Sequence, residues 1–251
     1  MTEWTAEQIP DQSGRTAIVT GANSGLGFAT ARELARAGAL VVIAVRDPAK
    51  AKDAQSKIQA EVPSARLEPR ELDLAELGSV REFASGIEAD YPAIDLLINN
   101  AGVMMPPRTT TAEGFELQFG TNHLGHFALT GLLLERLSAG RDPRVVTVSS
   151  LEHRPGKIDF ENLQSERDYH PRRAYQQSKF ANVVFALELD RLLRAAGSPV
   201  KSVLAHPGYS ATNLQLTGPT GLMRAVLRVT NVQRQPWSRA RRGAMNRNCA
   251  G

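Results

Sequence analysis

A glycine-rich loop set between a strand and a helix is the feature that most limits what this chain can become. Residues 15–20 (Arg-Thr-Ala-Ile-Val-Thr) read as a short buried strand. Gly21, Ala22, Asn23, Ser24, Gly25, Leu26 and Gly27 follow at once, and a helical run over 28–37 closes at Gly38. Strand, glycine loop and helix in that order form a dinucleotide cradle. The glycines permit a tight turn and bring a pyrophosphate up to the helix N-terminus, where free N–H groups and the helix dipole favour anions. The spacing is Gly-x-x-x-Gly-x-Gly, not Gly-x-Gly-x-x-Gly.

Residues 39–45 supply a second apolar strand and complete a βαβ unit. Its tip is Val45, followed by Arg46 and Asp47. An acidic side chain at such a tip bonds the ribose hydroxyls of NAD, whereas a guanidinium suits a 2′-phosphate. Arg46 therefore points to NADP, with NAD the weaker fit.

Further strand and helix patterns alternate along the chain. Helices are expected over 48–61 and 76–90, with strands over 65–72 and 94–98. Asp73, at the end of the third strand, either receives an adenine amino group or caps the helix that begins near Ala75. Asn99, Asn100, Ala101 and Gly102 follow the fourth strand. Small residues at a strand's carboxyl end let a cofactor lie close. Residues 103–113 form a loop and 114–137 a helix. That helix contains Asn122 and Gly125, both costly inside a helix, so a bend exposing polar groups is expected there. His123 and His126 read as structural, because no further metal-type ligand stands at helical spacing. A strand over 144–148 ends in Ser149 and Ser150, and a long polar loop spans 151–171. The remaining elements are a helix running to Ala196, a strand over 200–205 and a short amphipathic helix over 217–229. This alternation predicts one doubly wound parallel sheet of Rossmann type with helices on both faces.

The helix that carries Tyr175 and Lys179 has a chemical signature. The two side chains lie one turn apart on one face. A phenol titrates near pH ~10, and a nearby ammonium favours its ionised form. The pair is thus a device for moving protons near neutral pH.

Composition excludes several classes. A chain of 251 residues with 42% apolar and 22% charged residues suits one α/β domain. Its single cysteine, Cys249, rules out an internal disulfide framework and any cysteine metal site. Met1 to Glu7 has neither a basic start nor an apolar run, so no signal peptide is read, no span approaches membrane length, and a cytoplasmic protein is expected. The net charge of +4 comes from Arg234, Arg239, Arg241, Arg242 and Arg247, which lie in an acid-free end. Without them the chain is near neutral, so no specific nucleic-acid partner is expected. We read 1–230 as the dinucleotide-binding domain and 231–251 as a basic disordered tail.

Five segments taken together resemble the short-chain dehydrogenase/reductase family. They are Thr20-Gly21-x-x-x-Gly25-x-Gly27, Asn99-Asn100-Ala101-Gly102, Asn122, Ser149-Ser150 and Tyr175-x-x-x-Lys179. The resemblance spans about residues 14–215. Asn122 to Phe127, Ala44 to Asp47 and the long loop after Ser150 are most similar to the retinol-dehydrogenase-like branch and its bacterial relatives. It implies hydride transfer between a nicotinamide and the carbonyl or alcohol of a lipophilic small molecule. Tyr175 is then the acid/base, and Lys179 holds the ribose and lowers the tyrosine pKa, helped by the positive charge of the oxidised nicotinamide. Ser150, rather than Ser149, bonds the reacting oxygen, and Asn122 anchors a water. Gly21, Asn23, Leu26, Arg46, Asp73, Leu74, Asn100 and Pro207 match positions that line NADP, and Thr212 resembles a threonine that contacts the nicotinamide amide. Ser24, Gly25, Gly27, Ala101 and Gly102 complete the cofactor set. No metal is implied.

Relatives of this branch continue through another helix and a final edge strand. Residues 233–251 carry no strand pattern, so that strand is expected to be missing. One dimer surface lies at the same end, and a homodimer is among the expectations. Two alternatives remain: a dinucleotide-binding module with impaired catalysis, and reduction of a carbon–carbon double bond on the same fold.

Overall fold

Alternation along the first strand already requires two covered faces. Ala17 and Val19 point one way and Ile18 the other, and all three are fully buried. The computed structural model describes residues 5–207 and shows what covers them. Six strands, β1 (Thr16–Thr20), β2 (Leu40–Val45), β3 (Arg66–Glu71), β4 (Leu96–Asn99), β5 (Arg144–Val148) and β6 (Lys201–Ala205), form one parallel sheet in the order β3-β2-β1-β4-β5-β6. On one face Ala17, Val19, Val41 and Ile43 pack with α1 (Gly25–Arg36) and α2 (Pro48–Glu61) through Ala31, Leu34, Ala51 and Ile58. On the other, Ile18, Val42 and Leu97 pack with α3 (Leu77–Asp90) through Val80, Phe83 and Ile87, and with Leu129, Leu133 and Leu193. Parallel strands covered on both faces read as near-continuous apolar runs, as β2 does.

β1 pairs with β2 on one side and β4 on the other, for example Val19 with Ile43 and with Ile98. The connections leave β1 in opposite directions, so a crevice opens at the carboxyl ends of these strands.

Local chemistry explains the helix starts. Asp47 accepts from the N–H groups of Ala49 (3.0 Å) and Lys50 (3.3 Å), and Pro48 opens α2. α1 begins at Gly25, three residues before the expected start, because the glycine loop itself forms its first turn.

The segment expected as one helix over 114–137 is broken. α4 (Leu117–Phe119) passes into a π-helical turn (Gly120–Leu124), then α5 (Gly125–Leu132) and α6 (Leu134–Ser138). The Gly125 N–H reaches back five residues to the Gly120 carbonyl. Close packing accounts for the glycine, since a Cβ on Gly125 would stand 2.4 Å from the Leu74 carbonyl oxygen. After a 3-10 turn (Leu151–His153), α7 (Pro171–Ala195) carries Tyr175 and Lys179. The expected helix over 217–229, the edge strand, the tail and Thr212 lie outside the described residues. Among the described residues, no helix is long and apolar enough to cross a membrane.

Candidate active site

One cleft of about 990 Å³ runs along the carboxyl ends of the strands. It is lined by Gly21, Asn23, Ser24, Gly25, Leu26, Gly27, Arg46, Asp73, Leu74, Asn100, Ala101, Gly102, Ser150, Tyr175, Lys179 and Pro207. Asn122 lies just beneath it, fully buried. The structure thus brings together every site residue inferred from sequence that it describes; Thr212 lies outside the described residues.

At the nucleotide end the main chain does most of the building. Gly21 adopts φ +66°, and its N–H donates to Ala44 O at 2.8 Å. A Cβ there would meet Ala101 Cα at 2.9 Å, and one on Gly27 would meet Gly21 O at 2.4 Å. Two of the loop glycines are therefore needed for packing of protein on protein, besides any ligand. Ser24, the residue before α1, makes no side-chain cap bond, which leaves first-turn N–H groups facing the cleft. Asp73 takes the Ala75 N–H on Oδ1 (2.9 Å), while its Oδ2 lies 3.8 Å from Arg46 Nε. Arg46 is 72% exposed at its side chain.

Side chains build the other end. Thr20 Oγ1 receives the N–H groups of Asn100 and Ala101, both at 2.9 Å, and meets His126 Nε2 at 2.9 Å. His126 Nδ1 lies 3.0 Å from the Asn122 carbonyl, which requires a proton on Nδ1, so Thr20 donates to Nε2. Asn182 Nδ2 donates to the same carbonyl at 3.0 Å. The Asn122 amide clasps Val103 through its N–H (2.8 Å) and C=O (3.0 Å), and also donates to Ser178 Oγ. His126 is buried and held neutral, its pKa pushed down to about 3 by desolvation. His123 packs among Phe119, Phe127 and Phe185. No metal-type cluster of His, Cys, Asp or Glu forms among the described residues.

Tyr175 and Lys179 are both almost fully buried on one face of α7. The Lys179 ammonium stands 5.9 Å from the Tyr175 ring centre and donates to Val148 O at 3.1 Å. Ser149 Oγ donates to Lys179 O at 2.9 Å, which engages it with the helix. Ser150 Oγ accepts from the Glu152 N–H at 3.3 Å, and its side chain acts on the Tyr175 hydroxyl so as to favour its ionised form. Burial opposes the lowering of the phenol's pKa expected from Lys179 and a nicotinamide charge. Burial pushes Tyr175 up to about 12, against the Ser150 side chain and with help from the Glu152 charge. Burial also pushes Lys179 down to about 8. Desolvation outweighs the charges the protein itself provides.

The cleft has further walls that sequence reasoning did not single out: Met104, Met105, Glu152 and Arg172. Met105 takes φ +52°, uncommon for a non-glycine residue, and its N–H is held by the buried Gln118 Oε1 at 2.7 Å. Gln118 Nε2 in turn donates to Pro171 O (3.0 Å) and Tyr169 Oη (3.2 Å). Local sequence gives no signal for these contacts, which join residues 13 to 53 positions apart.

A doubly wound sheet with a crevice at its switch point defines a dinucleotide-binding fold of Rossmann type. The short chain dehydrogenase family matches residues 15–219, and the chain belongs to it. Within that family it falls in the retinol-dehydrogenase-like branch. It is 48% identical to human retinol dehydrogenase 13 over 202 residues, covering 80% of this chain and 60% of that protein. It is 49% identical to a mouse polyprenol dehydrogenase over 210 residues, 82% of this chain and 63% of that protein. The chain therefore spans somewhat under two thirds of the length of these relatives. A crystal structure of an uncharacterized protein from Mycobacterium paratuberculosis is 54% identical, with a TM-score of 0.76 over 85% of this chain and 75% of that one.

Proposed function

We propose that the protein is an NADP-dependent oxidoreductase that transfers a hydride between nicotinamide and the carbonyl or alcohol of a lipophilic small molecule. The observation that carries this reading is the joining of Tyr175, Ser150 and Lys179 to the glycine loop by one cleft. The residues fit the dinucleotide. Uncapped N–H groups at the start of α1 suit a pyrophosphate, and the exposed Arg46 beside Val45 suits a 2′-phosphate. The cofactor supplies the hydride.

The chain's own groups manage the proton. With its pKa about 12, Tyr175 is protonated at neutral pH and donates from Oη to a carbonyl oxygen during reduction. Ser150 bonds the same oxygen and orients it. Lys179 remains mostly cationic below its pKa of about 8 and favours the tyrosinate left after transfer. In alcohol oxidation the phenol must act as a base, and positive charge near Oη eases that step. Met104 and Met105 provide adaptable apolar surface at the substrate end, which supports a lipophilic substrate, retinoid- or polyprenol-like in class. Phe127, Val184 and Leu187 are exposed on α5 and α7, and we assign that face to a homodimer.

Tyr175→Phe tests the mechanism. We expect turnover of NADPH with aldehydes and ketones to be lost and NADPH binding retained. Activity in this variant would remove the tyrosine mechanism.

A further inference from the structure

Glu152 is absent from the proton-transfer scheme above, yet the structure builds around it. It lies in the turn directly after Ser150 and lines the same cleft as Tyr175. Its side chain is 28% exposed, and α7 grips it with three hydrogen bonds. Arg172 Nε reaches Oε2 at 2.9 Å and Arg172 Nη2 reaches Oε1 at 3.1 Å. Gln176 Nε2 donates to Oε2 at 2.7 Å. Arg172 and Gln176 stand one helical turn apart, and Tyr175 lies between them in the chain. A two-toothed arginine–carboxylate pair fixes direction as well as charge.

The clamp acts on Ser150. The Glu152 N–H donates to Ser150 Oγ. That hydroxyl then has its proton free to donate toward Tyr175 Oη, and its side chain acts on the phenol against the upward push of burial. A carboxylate held here lines the same cleft as the phenol and disfavours a second negative charge there. The other titratable groups beside the phenol are Lys179 and Arg172 on α7, which line the same cleft, and His153 on the turn. His153 Nδ1 is engaged with Ser150 O at 2.5 Å.

We propose that Glu152 is a positioning residue for the Ser150–Tyr175 pair: clamped by Arg172 and Gln176, it orients the serine hydroxyl and sets the pH at which the phenol changes from proton donor to proton acceptor. The proposal rests on the acid/base reading of Tyr175. Because Arg172 offsets the carboxylate, the two residues pull in opposite directions. Loss of Glu152 eases ionisation of the phenol, and loss of Arg172 opposes it.

The experiment is a 13C titration of protein labelled at the tyrosine ring carbon that bears the hydroxyl, in the full chain saturated with NADP+. Tyr175→Phe identifies the resonance. We expect Glu152→Gln to lower the Tyr175 midpoint and Arg172→Gln to raise it, each by about half to one pH unit, the size of an ordinary neighbouring-charge effect. Arg172→Lys should return the midpoint to that of the unaltered protein. Shifts in the same direction for Glu152→Gln and Arg172→Gln, or none, would overturn the proposal and leave the clamp a structural brace. If Glu152→Gln does not fold, a midpoint raised in Arg172→Gln and restored in Arg172→Lys still decides. The readout needs no substrate, so it separates this proposal from the proposed function, which fails instead if Tyr175→Phe keeps its turnover.

Discussion

The two ends of the cleft are built by different means. At the nucleotide end the backbone is the material: a positive-φ glycine, uncapped N–H groups, and glycines packed against carbonyl oxygens and Cα atoms. At the substrate end the material is buried polar side chains. Gln118 and Asn122 bond main-chain groups of other segments, and His126 bonds the Thr20 hydroxyl of β1. The first construction depends on what a residue lacks, the second on what it donates and accepts. The two therefore fail differently. A methyl group is fatal at one end, and an isosteric loss of polarity is the damaging change at the other.

This contrast can be broken or sharpened by substitution. The largest effect is expected for Gly27→Val, whose Cβ would sit 2.4 Å from Gly21 O and 2.5 Å from Asn100 Nδ2. It should cost about 3 kcal/mol or more by overpacking and abolish NADPH binding, as read by denaturant melts and titration. Wild-type binding in that variant would erase the distinction. Gln118→Leu should cost about 2–3 kcal/mol by leaving the Met105 N–H and the Pro171 carbonyl without their partner. It should raise KM for the carbonyl substrate while leaving NADPH affinity within about twofold. A matching loss of NADPH affinity would show that the two ends are one unit.

A pH series probes the substrate end further. Burial holds His126 near 3, below its unfolded value of about 6.5. Between those values the unfolded chain binds the proton and the folded one does not, so stability is full above about pH 6.5 and falls as pH drops. The slope should approach about 1.4 kcal/mol per pH unit per histidine. His126→Gln should flatten it without abolishing it, because burial also pushes His123 down. An unchanged slope would mean that His126 does not carry it. The smallest effect is expected for Arg46→Ala, which should weaken NADPH by about 1–2 kcal/mol and spare NADH. Equal loss of both nucleotides would remove the 2′-phosphate assignment.

The same contrast explains what could be read from the sequence. The glycine loop, the Val45–Arg46 tip and α2 with its Asp47-Pro48 start are local patterns. Each is decided by residues within a turn or two, and each lies where expected. The Tyr175–Lys179 pair was legible for the same reason. Glu152, Gln118 and the strained Met105 were not, because their roles arise from partners many residues away. The burial of Tyr175 was not legible, on similar grounds. Proximity to Lys179 shows in the spacing, whereas burial, which outweighs it, belongs to the whole fold. The segment over 114–137 was expected as a bent helix, and its Asn122 and Gly125 marked the right place. The π-helical form of the interruption, and the close approach of Leu74 that requires glycine at 125, are announced by no local pattern.

That π-helical turn has a consequence for kinship among related chains. Such a turn is equivalent to one residue added within an α-helix, and one residue turns a helix by about 100°. Side chains before Gly120 are thus rotated by that amount relative to where an unbroken helix would set them against those after Leu124. A relative lacking the extra residue would align with this chain only through a gap placed inside a helix, at Asn122. Grafting residues 117–138 between two such proteins would transplant the rotation along with the residues. The segment is best exchanged whole, or not at all.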